Sequence, residues 1–407
     1  MKVCFLCANY PPEIRAGTEM VAVALARELR SAGHEVVVVC TSNRVHAGED
    51  VRQERFEDVS VFRLFKKLDE WDANGLHRPR LLQLVGGLLR AHRPALLHAH
   101  ALASFGSGHL QQARALGIPS LLTFHDLWVT CPRYFRLPPE GIVCPSGAGR
   151  GPCVPCVQRE LPHAGALAVQ QALAARDRDV RLEVAAAAVL TAPSRTAAAM
   201  VKEHLPWDGP VEVVPHGVLE PVPQARRAPA PQPGERLRVG TFGNLVPEKG
   251  VLELVDAAAG LDCELHLAGP FLDPAFERRV RARAGELLVR LVCDGPYGAG
   301  DHPARGLHLA VFPSRCQETY GLVVDEALAH GVPALCSDGG ALGERAAAPG
   351  VVVAALPSLR AALHDLVTAP QALARLRAAI PGALPSVATA AARYQQLYAR
   401  ALARAGR

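Results

Sequence analysis

Two glutamates, Glu318 and Glu326, stand with seven residues between them in PSRCQETYGLVVDE, the stretch from Pro313 to Glu326. ALAHGVPALCSDGG follows. The apolar run after Gly321 predicts a helix over 322–329, closed by Gly331 as a C-cap. Glu318 then lies just ahead of the helix and Glu326 about a turn inside it. A carboxylate on a loop can accept hydrogen bonds from hydroxyl groups. The helix start offers unpaired N–H groups and a positive end to an anion, and Gly321 permits close approach. This chemistry suits a sugar carried on a diphosphate. The plain alternative is two solvated surface carboxylates, the usual condition of Glu.

A second element bears on the choice. GTFGNLVPEKG, Gly240 to Gly250, reads as a strand, a glycine turn and a helix start, with Lys249 where turn meets helix. By itself Lys249 would be an ordinary surface cation. In one domain with the glutamate pair it is placed to neutralise phosphate oxygens.

Strands and helices must position these groups, and the pattern alternates accordingly. VCFLCA is an unbroken apolar run, as expected of a buried parallel strand. A loop, NYPPEIRAGTE, leads to a helix over 20–30, ended by Gly33, and then to the strand EVVVVCT. Further strands are expected at 59–64, 95–99, 120–123 and 187–192. The Pro-rich stretch 217–236 reads as a linker. A second alternating series starts at LRVGTFG, with a helix over 251–259 and strands ELHLAG, VRLVCDG, LHLAVFPS and PALCSD. The expected domains are therefore 1–216, 237–385 and a C-terminal amphipathic helix within 386–407 that could pack on either domain, including back on the first. Fold class is α/β with two doubly wound parallel sheets, and ligands of such sheets bind at the carboxyl ends of the strands.

Taken in order, these motifs resemble the retaining, nucleotide-sugar-dependent glycosyltransferases of family four, whose GT-B fold sets two Rossmann-like domains across a cleft. The family binds the donor diphosphate with a Gly-Arg-Leu turn followed by Lys-Gly. Here Gly243, Leu245, Lys249 and Gly250 match, and Asn244 replaces the usual Arg. Asn244 lacks the fixed charge but still donates hydrogen bonds. The resemblance assigns Glu318 to the donor sugar hydroxyls and Glu326 to the ribose. By the same resemblance Thr319, Tyr320, Gly321 and Leu322 would line the donor, with the backbone N–H groups of Tyr320 to Leu322 on the phosphates. In the first half, Gly17 in PPEIRAGTE corresponds to a loop glycine that approaches the phosphate or the acceptor. His125 in TFHDLW corresponds to the active-site histidine touching the reacting sugar. His98 and His100 in LHAH match a common family segment without a catalytic role. APS (192–194) and PHGV (215–218) match the end of the first domain.

The resemblance implies a nucleotide sugar as co-substrate, no protein nucleophile and no catalytic metal. Its acceptors would be saccharides, lipid-linked saccharides or natural products, in cell-surface polysaccharide or glycoconjugate biosynthesis. Two other functions fit parts of the pattern. A nucleotide-sugar epimerase could share the fold, and a non-catalytic sugar-nucleotide-binding partner subunit would be favoured by Asn244.

The segment after TFHDLW carries four cysteines, Cys131, Cys144, Cys153 and Cys156, in a Gly/Pro-rich insert over about 131–156. Four thiolates with one C-x-x-C pair suit a tetrahedral structural zinc. Free thiols are the alternative, since two C-x-x-C pairs would be the regular pattern. A subset of family four has a similar insert. Cys4 and Cys7 form another C-x-x-C, but on a strand they face opposite ways and read as core.

Bulk properties exclude little more. The 407 residues carry a formal net charge of +5, and 49% are apolar. Basic runs with interleaved aromatics are absent, which argues against nucleic acid. Neither a signal peptide nor a membrane-spanning run is apparent, so the expected location is the cytoplasm, with reduced cysteines. Contact with the inner membrane face is an open expectation. The Arg-bearing helix over 169–184 also carries acids and reads as a solvated face.

Overall fold

Eight strands of the first half form one sheet in the computed structural model, which describes residues 1–405 apart from 43, 45–47, 68–76, 138–143, 145–149, 160–163, 206 and 233. They are β1 (Lys2–Cys7), β2 (Glu35–Ser42), β3 (Val51–Phe56), β4 (Val59–Phe65), β5 (Leu96–Ala99), β6 (Ser120–Thr123), β7 (Val189–Ala192) and β8 (Val211–Val213). Their spatial order is β3-β4-β2-β1-β5-β6-β7-β8, parallel except for β3 against β4. The central strands are apolar because helices cover both faces, so neither side chain of a pleat meets water. β1 shows this directly. Cys4 and Leu6 enter one apolar core, while Val3, Phe5 and Cys7 enter the other.

β3 is an edge strand that the apolar pattern does not reveal. Its sequence VRQERF is mostly polar and half exposed, which is how an edge avoids pairing with another chain. The first helix runs from Gly17 to Ser31 rather than over 20–30. The extra turn consists of Gly17, Thr18 and Glu19, which carry no apolar period.

The second sheet contains β9 (Leu237–Phe242), β10 (Cys263–Ala268), β11 (Leu291–Gly295), β12 (Leu309–Phe312), β13 (Ala334–Cys336) and β14 (Val351–Val353). It is wholly parallel in the order β11-β10-β9-β12-β13-β14. The helices Val251–Ala258 and Leu322–Ala329 follow β9 and β12.

The chain forms two compact units. Among the described residues, one comprises those up to Leu219 with those from Ser386 onward, and the other Glu220 to Pro385. The Pro-rich stretch 217–236 is not all linker in space. Ala228 is buried, and its N–H donates to His330 O at 2.8 Å within the second unit. The final helix, Val387–Ala405, belongs to the first unit. Tyr394, Leu397, Tyr398 and Ala401 join the core containing Phe5 and Val38. Glu212 on β8 accepts from Arg393 at 2.8 Å and Arg400 at 2.6 Å. None of the described helices is long and apolar enough to cross a membrane.

Candidate active site

In the second unit, the turn after β9 is pressed onto the end of β12. Gly250 has φ +73°, and a Cβ there would stand 1.8 Å from Pro313 O, so only glycine fits. The contact is fastened by Arg315 N–H, which donates to Glu248 O at 2.9 Å. Lys249, one residue before this glycine, is thereby brought to Glu318. Its Nζ lies 2.5 Å from Glu318 Oε1, which also accepts from Ser314 Oγ at 2.6 Å. Glu318 itself is clamped through its backbone. Its carbonyl accepts from Ala341 N–H at 2.8 Å, and a Cβ on Gly340 would lie 2.3 Å from that oxygen.

Burial opposes charge on both members of this pair, yet their mutual attraction prevails. The Lys249 pKa is raised because the Glu318 carboxylate, helped by Cys316 and Glu248, outweighs its loss of water. The Glu318 pKa is lowered because Lys249, with Ser314 and Cys316, outweighs its own burial. Lys249 still exposes 39% of its side chain against 16% for Glu318. The cation is therefore the member open to an incoming anion.

Gly321, at φ +82°, caps the Leu322–Ala329 helix without a side-chain acceptor for its first N–H groups. The helix start is fixed by Arg345, whose guanidinium lies over the Tyr320 ring at 4.7 Å and donates to Asp325 at 2.7 Å. Tyr320 is buried, whereas Thr319, Gly321 and Leu322 are half-buried. Asn244 is exposed in the turn after β9. Glu326 lies on the same helix with His302 Nε2 3.7 Å away, and His302 stacks on His330 at 4.4 Å. Residues 302 and 330 carry no signal in sequence beyond being histidines.

In the first unit, Gly17 is exposed and opens its helix. His125 follows β6 and joins a column of four imidazoles. His98 and His100 lie with ring centroids 3.9 Å apart, His100 and His125 at 5.2 Å, and His125 and His216 at 4.9 Å. Positions 98 and 100 share a face because strand side chains alternate. That i, i+2 spacing in LHAH is the sequence signal for the column. His100 Nδ1 lies 2.9 Å from His125 Nε2. His98 shares hydrogen bonds with Tyr398 Oη and Thr123 Oγ1, both at 2.7 Å. Burial pushes His125 down to about 3 and His98 and His100 well below the ordinary histidine value, so all three rings are neutral near pH 7.

Two cysteines of the insert face arginine side chains. Cys153 and Cys156 sit on the short helix Cys153–Gln158, where Arg150 donates to the Cys153 thiol at 3.8 Å and Arg133 to the Cys156 thiol at 3.7 Å. Burial raises the Cys131 pKa, although the Arg133 and Arg136 N–H groups oppose it. Among the described residues, no group of three or more His, Cys, Asp or Glu side chains is placed to hold a metal. Most of residues 138–149, the middle of the insert, lie outside the described residues.

Comparison with known proteins bears on both units. Residues 15–219 match the family model for Glycosyltransferase Family 4, and residues 236–369 match that for Glycosyl transferases group 1. A GDP-mannose-dependent alpha-mannosyltransferase of Mycolicibacterium smegmatis is 27% identical over 353 residues, covering 84% of this chain and 80% of the relative. Among solved structures, sucrose-phosphate synthase from Thermosynechococcus elongatus superposes with a TM-score of 0.69 at 18% identity, covering 99% of each chain. HepE of Anabaena, solved with UDP and glucose, gives 0.66 at 15% identity, covering 98% of this chain and 99% of its own. Both share the GT-B fold of two parallel-sheet α/β domains.

Proposed function

The chain belongs to glycosyltransferase family 4 and uses a nucleotide-sugar donor, and we propose that it transfers a hexosyl group with retention at the anomeric carbon. The observation that carries this reading is the Lys249–Glu318 pair beside the open start of the Leu322 helix. A departing nucleoside diphosphate gains negative charge as the glycosidic bond breaks. Lys249, held protonated by Glu318, and the first N–H groups of the helix after Gly321 supply fixed positive potential for it. With Asn244 where an arginine is usual, these two features bear more of that charge. The carboxylate of Glu318, fixed by Ser314 and its clamped backbone, is suited to orient sugar hydroxyls. Glu326 is assigned to the ribose and His125 to the reacting sugar. No side chain here needs to act as nucleophile. The leaving phosphate takes the acceptor proton on the face where the new bond forms.

The acceptor proposed is a saccharide, free or lipid-linked, or a natural product, within cell-surface polysaccharide or glycoconjugate synthesis. The relatives' names mention GDP-mannose, UDP and glucose, so a donor panel should span GDP- and UDP-hexoses. Radiolabelled donors with a saccharide acceptor series test the reading, with NMR of the product for anomeric configuration. Full transfer by both Lys249→Ala and Glu318→Ala would sink the site assignment, and an inverted product would sink retention. Flotation with anionic liposomes tests the proposed peripheral membrane contact.

A further inference from the structure

We propose that His100 is a positioning residue that holds the proton of His125 on Nδ1, so that His125 meets the sugar as an N–H donor from that nitrogen. The inference rests on the reading of His125 as the sugar-contacting histidine.

Each neutral imidazole carries one N–H, and the 2.9 Å contact between His100 Nδ1 and His125 Nε2 needs one donor. Two allocations are possible. In the first, His100 donates from Nδ1, its Nε2 is a bare lone pair, and the His125 proton sits on Nδ1. In the second, His125 donates from Nε2 and the His100 proton moves to its own Nε2. That nitrogen is buried and has no hydrogen-bond partner among the described residues. The second allocation therefore buries an N–H without an acceptor, and the first only a lone pair. Orphaned buried N–H groups are the rarer of the two. The first allocation wins.

The fold holds His100 in place for this task. It follows β5, its N–H donates to Leu6 O at 2.8 Å, and its ring packs between Phe5 at 4.6 Å and His98 at 3.9 Å. Only 1% of the residue is exposed. Direct contact with a ligand is thus not its role, and it acts through His125.

Protein labelled with ¹⁵N-histidine, read by two-bond ¹H–¹⁵N correlation at pH 7.5, reports each tautomer without any substrate. The expected result is Nδ1–H on both His100 and His125. Nε2–H on His125 would overturn the inference. Two variants extend the test. His100→Leu removes the donor, and we expect a tautomer mixture at His125 and kcat lowered about tenfold, the equivalent of one ordinary hydrogen bond. The KM for the donor should move less than about twofold. His100→Asn keeps an amide donor near the Nδ1 position, and should restore the tautomer and most of kcat. Unchanged kcat and tautomer in His100→Leu would also overturn it. Because the NMR reading needs no turnover, a wrong tautomer sinks this inference alone. The expected tautomer in a protein that transfers no sugar sinks the transferase reading instead.

Discussion

Lys249 Nζ and Glu318 Oε1 meet at 2.5 Å although 69 positions separate them, because Gly250 lets its turn touch the backbone of Pro313. The two residues therefore form one ion-paired element. Lys249→Ala and Glu318→Gln should each lower kcat for sugar transfer by about 10²–10³-fold, the usual cost of losing one donor to developing charge. The pair is half-open to water, so its stability share should be small, within about 1 kcal/mol. Radiometric kinetics with parallel thermal melts checks both, and a collapse of the melt with intact kcat would refute the assignment.

Gly250→Ala tests the mechanical part. A side chain at φ +73° is strained, and its Cβ would meet Pro313 O. The expected loss is at least about 1–3 kcal/mol, together with transfer, since Lys249 moves with the turn. Urea denaturation and kinetics would show it. A fully active variant of normal stability would mean that the turn is not held as described.

Acid should weaken the first unit. His98, His100 and His125 are held neutral by burial, with folded pKa values below the ordinary 6.5. Their contribution is complete above pH 6.5 and is lost as pH falls towards the folded values, because the unfolded chain takes up protons that the folded one refuses. Each site then costs up to about 1.4 kcal/mol per pH unit. All three tryptophans, Trp71, Trp128 and Trp207, precede Leu219, so tryptophan fluorescence reports this unit. Its denaturant midpoint should hold above about pH 6.5 and drop steadily from there to pH 5, and a flat midpoint would contradict buried neutral rings.

Much of this was legible from residue type. The glutamate pair, the Lys-Gly turn and the helix over 322–329 were found because each depends on local pattern. The edge strand β3 was missed because its exposed polar residues carry no period. The histidine column was missed because it is assembled from three separate segments, at His98 with His100, His125 and His216. Only the LHAH spacing hinted at it. The ring of His302 near Glu326 was hidden for the same reason, since nothing local ties residue 302 to 326.

Tyr398→Phe tests the far end of the column. Tyr398 Oη lies 2.7 Å from His98 Nδ1 in a fully buried setting. Losing the hydroxyl leaves that nitrogen unsatisfied, at a cost of about 1–3 kcal/mol. A fluorescence denaturation curve should move accordingly, and no movement would place the hydroxyl outside the network.

Thiol counting distinguishes the states of the insert. Cys131, Cys144, Cys153, Cys156 and Cys293 are partly exposed, and the other six cysteines are buried. As placed, five thiols should react with an aromatic disulfide reagent in the native protein, and all eleven after unfolding. A single reactive native thiol with one zinc per chain by elemental analysis would mean that the insert cysteines have turned from their arginines to a metal.

The return of the Val387 helix to the first unit has a consequence for biosynthesis. A ribosome makes the strands β1 to β8 early, yet Tyr394 and Tyr398 emerge only after Glu220 to Pro385 has been translated. At ordinary elongation rates that delay is on the order of ten seconds. Throughout it, the nascent first unit exposes the apolar groove around Phe5 and Val38 that the helix later fills. Chaperone occupancy on stalled chains should therefore persist through the synthesis of the second unit and end only when the last helix docks.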